Sequence, residues 1–192
     1  ELMPIEEDEH GTYIMNSKDL RAVEHVAQLV KIGIDCLKIE GRTKSHYYAA
    51  RTSQIYRRAI DDALAGREFD VSLMGSLESL ANRGYTDGFF VRHHSQELQR
   101  YHESASTTQR QMFVGEVMQN SDDGLALIDV KNKFSVGDSL ELLTPGGNAS
   151  FTLDEMLDND GNSLQVAPGG GWKVRIPLPA EAADFGLLVR DL

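Results

Sequence analysis

The hydrophobic period changes near Met112, and that change constrains the fold more than any other feature of the chain. Before it, apolar residues recur every three or four positions. After it they alternate. FVGEVM, GLALIDV, SLELLT, SFTLDEM, SLQVA, WKVRIPL and GLLVRD read as seven short strands. SDDG, SVGD, PGGN, NDGN and APGGGW separate them, all rich in residues that turn a backbone. Strands packed this densely, with no helix between them, predict a small all-β barrel or sandwich over residues 111–192.

Upstream the pattern is helix, strand, helix. Asn16 or Ser17 can cap a helix that runs to Gly33, with Leu20, Val23, Ala27 and Val30 on one face. Ile34 to Ile39 predicts a short strand and Gly41 to Ser45 a turn. Ser45 can cap a second helix to about Ala65, burying Tyr48, Thr52, Ile55, Ala59 and Ala63. A third helix is expected around Ser72–Asn82, held by Leu73, Leu77 and Leu80. Short connections between such elements are the rhythm of a wound sheet or an α/β barrel. Residues 91–110 are polar, lack a period and read as a linker. The expected organisation is an α/β segment over 1–90, a linker over 91–110 and a β domain over 111–192.

Charge is distributed unevenly. The formal net charge is −11, yet Lys38, Arg42, Lys44, Arg51, Arg57 and Arg58 crowd one stretch whose one anion is Glu40. From Gln111 onward there are 13 acids against 5 bases (counted from the sequence), so the two halves are expected to do different work. The acidic balance argues against a general nucleic-acid coat, because phosphate binding is dominated by Lys and Arg. No apolar run approaches the ~20 residues of a membrane span, so no membrane partner is expected. The acidic start differs from a signal peptide, and the one cysteine, Cys36, rules out an internal disulfide. A cytoplasmic protein is expected. The chain opens on Glu1, which suggests a piece of something longer.

The junction at 37–48 is the strongest candidate site. Ligands of parallel α/β structures gather at the carboxyl ends of strands, where the next helix begins. Alternation puts Lys38 and Glu40 on one strand face. Arg42 can form a forked pair with phosphate or carboxylate, and the helix N-terminus adds positive potential. The other reading of the same residues is a buried Lys38–Glu40 pair beside solvated helix charges. EEDEHGTY could supply metal ligands, but consecutive residues point in different directions and rarely more than two converge, so a solvated acidic turn is the favoured reading and no metal site is assigned. DNDGN lacks Gly at the sixth loop position and Glu at the twelfth, so it reads as a hairpin turn and not a calcium loop. Cys36, among Ile34, Leu37 and Ile39, reads as a buried inert thiol, and His93 and His94 as exposed linker residues. Spacing alone establishes no catalytic machinery.

EEDEHGTYIMNSKDL, CLKIEGRTKS, HYYAARTSQIYRRAIDDALAG and LANRGYTDGF, in that order, resemble the YegQ-type branch of the collagenase-like peptidases, peptidase family U32. FVGEV and FSVGDSLEL are similar to the C-terminal barrel of that family, which resembles the second domain of translation elongation factors. The resemblance implies the C-terminal part of a TIM-like catalytic domain followed by that barrel. It implies a role in prephenate-dependent 5-hydroxylation of the tRNA wobble uridine, with tRNA and prephenate as partners of the full-length protein. Other branches are classed as collagenase-like proteases, which leaves a peptidase reading open. A third reading takes the acidic barrel as a non-catalytic module that grips a protein partner.

The resemblance also implies an iron–sulfur cluster in the full-length protein, held by cysteine motifs upstream of Glu1, so no cofactor is expected in this stretch and it is expected to be inactive alone. The family commonly has serine where Cys36 stands, which argues against a cluster or nucleophile role for it. In the hydroxylase reading, Glu40 and Arg42 are the catalytic candidates. Lys38, Lys44, Tyr47 and Arg51 are the substrate-binding ones, with Tyr47 or Tyr48 stacking on a base and the other filling the helix core.

Overall fold

A nonlocal pairing decides the first half. In the computed structural model, which describes residues 6–8, 11–13, 16–42, 44–80, 82, 84–88, 90, 99–100, 111–120, 124–179 and 185–192, the chain divides into two units, Glu1–Gln109 and Arg110–Leu192. Within the first, β1 (Glu6–Asp8) pairs antiparallel with β2 (Gly11–Tyr13). β3 (Asn16–Ser17) and β4 (Asp19–Leu20) follow where a helix is predicted. A 3₁₀ turn, Val23–His25, leads into α1 (Val26–Lys31), α2 (His46–Leu64) and α3 (Ser72–Glu78). β5 (Tyr85–Thr86) then lies parallel to β4, and β6 (Gln99–Arg100) antiparallel to β3.

The predicted helix over 16–33 is therefore helical only from Val23. The amides of Asp19 and Arg21 donate to the carbonyls of Gly84 and Thr86 at 2.9 and 2.8 Å, so the ladder with β5 takes the donors that a helical turn would use. The C-terminal stop is as expected: Gly33 sits at φ +83°, a left-handed conformation that glycine adopts without a Cβ penalty.

Ser45 caps α2, its Oγ accepting from the Tyr48 amide at 3.2 Å. The buried stripe is Tyr47, Arg51, Thr52, Ile55 and Ala59, against Val23, Val26, Leu73, Leu77 and Leu80. The helix is rotated by one residue at its start relative to the expectation, so Tyr47 enters the core and Tyr48 does not. Ile34 to Ile39 forms no strand: the stretch has no regular structure, is in no sheet among the described residues and is largely exposed. Its apolar residues have no sheet neighbour to cover them here. Cys36 is accordingly exposed, contrary to the buried thiol expected. His93 and His94, and most of 91–110, lie outside the described residues.

The second unit holds β7 (Gln111–Asn120), β8 (Leu125–Val130), β9 (Phe134–Ser135), β10 (Ser139–Thr144), β11 (Gly147–Thr152), β12 (Val166–Ala167), β13 (Lys173–Pro177) and β14 (Leu187–Asp191). Six of them make one antiparallel sheet in the order β11-β10-β14-β7-β8-β13, and β12 pairs with β9. Alternation along the strands sends Ala126, Ile128, Val130, Leu140, Leu142, Val174 and Ile176 into one core with Phe134, Leu153, Met156 and Leu188. The DNDGN stretch is a turn. Asp158 accepts at Oδ1 from the amides of Asp160 and Asn162, at 2.9 and 2.8 Å, and Leu157 bridges to Ser163.

Candidate functional site

The parallel β4–β5 pair sets Asp19 and Arg21 beside Tyr85, and the start of α2 brings Lys44 and Tyr48 to the same place. Between them and the 37–42 segment lies a cavity of about 570 Å³. Five cations line it (Lys18, Arg21, Lys38, Arg42 and Lys44) against two carboxylates, Asp19 and Glu40. A surplus of positive charge at one wall favours an anionic occupant, and the low-dielectric aromatic lining of Tyr48, Tyr56, Tyr85 and Phe90 sharpens that preference.

The cations are not equally committed. Lys44 Nζ bonds Asp19 Oδ2 at 2.9 Å, with both side chains about four-fifths buried, and stands 5.1 Å over the Tyr48 ring. Arg21 is held by Glu78 at 3.2 Å and Glu24 at 3.6 Å, and its guanidinium lies 5.1 Å over the Tyr85 ring. Lys38 and Glu40 approach to 3.7 Å, but their side chains are 85% and 71% exposed, so the buried pair considered from the sequence does not form. Arg42 and Lys18 make no ion pair among the described residues. A guanidinium without an internal carboxylate, exposed at the rim, is the group best able to take a ligand's phosphate or carboxylate.

The tyrosines are tied down by their hydroxyls. Tyr56 accepts from the Ala22 amide at 2.9 Å, and Tyr85 donates to the Leu77 carbonyl at 2.8 Å. Burial pushes the Tyr48, Tyr56 and Tyr85 phenols above their ordinary value, with the Asp19 carboxylate adding to the rise at Tyr48 and Tyr85. They remain neutral donors and stacking surfaces across the physiological range.

Of the six candidates named from the sequence, Lys38, Glu40, Arg42 and Lys44 line the cavity. Tyr47 and Arg51 do not: they are 5% and 8% exposed, inside the α2 packing. Asp19, Arg21, Tyr56 and Tyr85 escaped the sequence reading. No local spacing could have found them, because Asp19 and Tyr85 meet through strand pairing across the length of the unit.

An α/β unit with a cation-walled cavity, followed by an antiparallel β unit, defines the class of protein. The family is also clear. The chain belongs to peptidase family U32: residues 2–100 match the Peptidase family U32 model and residues 109–190 its C-terminal domain model. It is 55% identical to "tRNA hydroxylation protein P" of Escherichia coli (strain K12) and 51% identical to the protein of that name from Haemophilus influenzae (strain ATCC 51907 / DSM 11121 / KW20 / Rd), in both cases over 100% of this chain. The chain spans 42% of the length of each of these relatives. Among solved structures, the C-terminal domain of a Geobacillus thermoleovorans U32 peptidase aligns with a TM-score of 0.39 and 23% identity, covering 42% of this chain and 92% of that one.

Proposed function

We propose that this chain is the C-terminal portion of a tRNA-hydroxylating protein and that its cavity recognises an anionic group during the reaction. The observation that carries the reading is the cation wall, with Arg42 exposed and making no ion pair among the described residues. Relatives named for tRNA hydroxylation, similar over the whole of this chain, supply the reaction class. Arg42 and Lys44 would grip a tRNA phosphate or the carboxylates of prephenate, Lys38 would add field at the mouth, and Glu40 would orient Arg42 or a substrate hydroxyl. Tyr48, and not Tyr47, is the ring available to stack on a base.

In the full-length protein the unpaired Ile34–Ile39 segment would join further parallel strands as part of a TIM-like barrel, and the β unit would be the barrel that resembles an elongation-factor second domain. An iron–sulfur cluster does not fit the residues of this stretch, since a single exposed thiol, Cys36, cannot hold one. Its ligands would come from the rest of the protein. Among the described residues no helix is long and apolar enough to cross a membrane. A cytoplasmic site of action, where tRNA is modified, completes the reading.

The test is mass spectrometry of tRNA nucleosides from cells whose own gene is replaced by the full-length Arg42→Ala variant. Loss of 5-hydroxyuridine-derived nucleosides at unchanged melting temperature is expected. An undiminished nucleoside profile would refute the assignment of Arg42.

A further inference from the structure

Next to Arg21 and Phe90, which line the cavity, is a second constellation with different chemistry. The 3₁₀ turn supplies Glu24 and His25, and the residue after β5 supplies Asp87. His25 Nε2 lies 3.6 Å from Glu24 Oε1 and 3.8 Å from Asp87 Oδ2, and one donor atom from each of the three residues falls within 4.8 Å of the others. It is the one such grouping among the described residues. Nε2 is buried and takes part in no hydrogen bond, although two carboxylates face it just beyond bonding distance.

The surroundings fix each donor. Phe90 stacks on the imidazole, centroids 5.0 Å apart and planes at 19°, which sets the ring plane. The Phe90 amide donates to the Asp87 carbonyl at 3.1 Å, so one tight turn places the stacking ring and the carboxylate together. Arg21 approaches Glu24 at Oε2, leaving Oε1 directed at the histidine. Such a carboxylate, oriented through its second oxygen, is the arrangement that outer partners impose on ligating groups.

From this geometry we propose that Glu24, His25 and Asp87 form a divalent-cation site of the zinc class. A tetrahedral ion bound at about 2.0–2.1 Å separates its donor atoms by about 3.3 Å, so Glu24 and Asp87 need approach His25 by only some tenths of an ångström, while their own separation, within 4.8 Å, closes by the remainder. One imidazole and two carboxylates suit zinc or manganese better than calcium, which takes oxygen ligands in larger number. Three protein ligands leave a fourth position open, as in sites where the ion meets water or substrate. Arg21 and Phe90 border both this site and the cavity, whereas Arg42, Lys38 and Lys44 take no part in it.

Isothermal titration of the purified chain with Zn²⁺ alone tests the proposal, with the melting temperature followed in parallel. One ion per chain and a rise in melting temperature are expected. Glu24→Gln and Asp87→Asn, which keep shape, and His25→Ala should each weaken binding at least tenfold, whereas Cys36→Ser should leave it unchanged. Failure of the parent chain to bind one ion would overturn the site and leave a histidine ion-paired with its carboxylates. Binding of equal strength in Glu24→Gln and Asp87→Asn would overturn it too, by placing the zinc elsewhere. Failure of His25→Ala to fold does not decide the matter, because those two isosteric variants carry the test.

Discussion

Gly115 offers a sharp test of how the β unit is packed. It lies in β7 opposite Val130 of β8 and Leu188 of β14. A Cβ built there would stand 2.5 Å from Ile128 Cγ2 and 3.2 Å from the Asp129 carbonyl oxygen. Ile128 is fully buried, and its methyl would have to retreat by about 1 Å to reach an ordinary carbon–carbon separation. The strand backbone of Asp129 cannot yield without disturbing the ladder to β13. Overpacking of this kind costs about 1–3 kcal/mol. Restricting the unfolded chain by Gly→Ala returns roughly 0.4–1 kcal/mol. The net loss is about 1–2 kcal/mol, which for a unit of this size lowers the melting temperature by roughly 5–15 °C. Thermal unfolding of Gly115→Ala, followed by circular dichroism, reads this directly. Gly170→Ala is the control, since its Cβ would meet the nearest atom, the Lys131 carbonyl oxygen, at an unstrained 3.6 Å. Equal melting of Gly115→Ala and the parent chain, or an equal loss in Gly170→Ala, would refute the packing argument.

Other outcomes follow from the first unit. Ser45→Ala removes the α2 cap and should cost about 1 kcal/mol of stability in a denaturant titration, with Ser45→Asp restoring most of it. The raised phenols of Tyr48, Tyr56 and Tyr85 favour the protonated folded state, so their contribution is intact below pH 10 and is lost as pH rises through their folded values. Ultraviolet titration should show phenolate appearing late relative to free tyrosine. Asp19→Asn should bring the Tyr48 titration downward by removing the neighbouring carboxylate.

How much of this was legible in the sequence depends on the range of the forces involved. The cap at Ser45, the stop at Gly33 and the alternation of Ala126, Ile128 and Val130 rest on neighbours within a turn or a strand, and a reader of the sequence can find them. The helix expected from Asn16 failed because Asn16 and Ser17 pair with β6 while Asp19 and Arg21 donate to Gly84 and Thr86, contacts that no local propensity encodes. The helix period put Tyr48 on the buried face and the structure puts Tyr47 there, because adjacent helical positions differ by about 100° and the core edge falls between them. The cations of the site were visible as a cluster. The carboxylate that anchors Lys44 and the tyrosines beside it were not, because β4, α2 and β5 bring them together only in three dimensions.

The order of the six-stranded sheet has a consequence for biosynthesis. β14, which follows the other five strands of the sheet in chain order, occupies its middle and joins the β7–β8–β13 ladder to the β10–β11 hairpin. Until Leu187–Asp191 emerges, two partial sheets each present an open edge, at β7 and at β10. Such edges invite pairing with other nascent chains. Ribosomal pausing or truncation just before Leu187 should therefore produce aggregates out of proportion to the single short strand withheld.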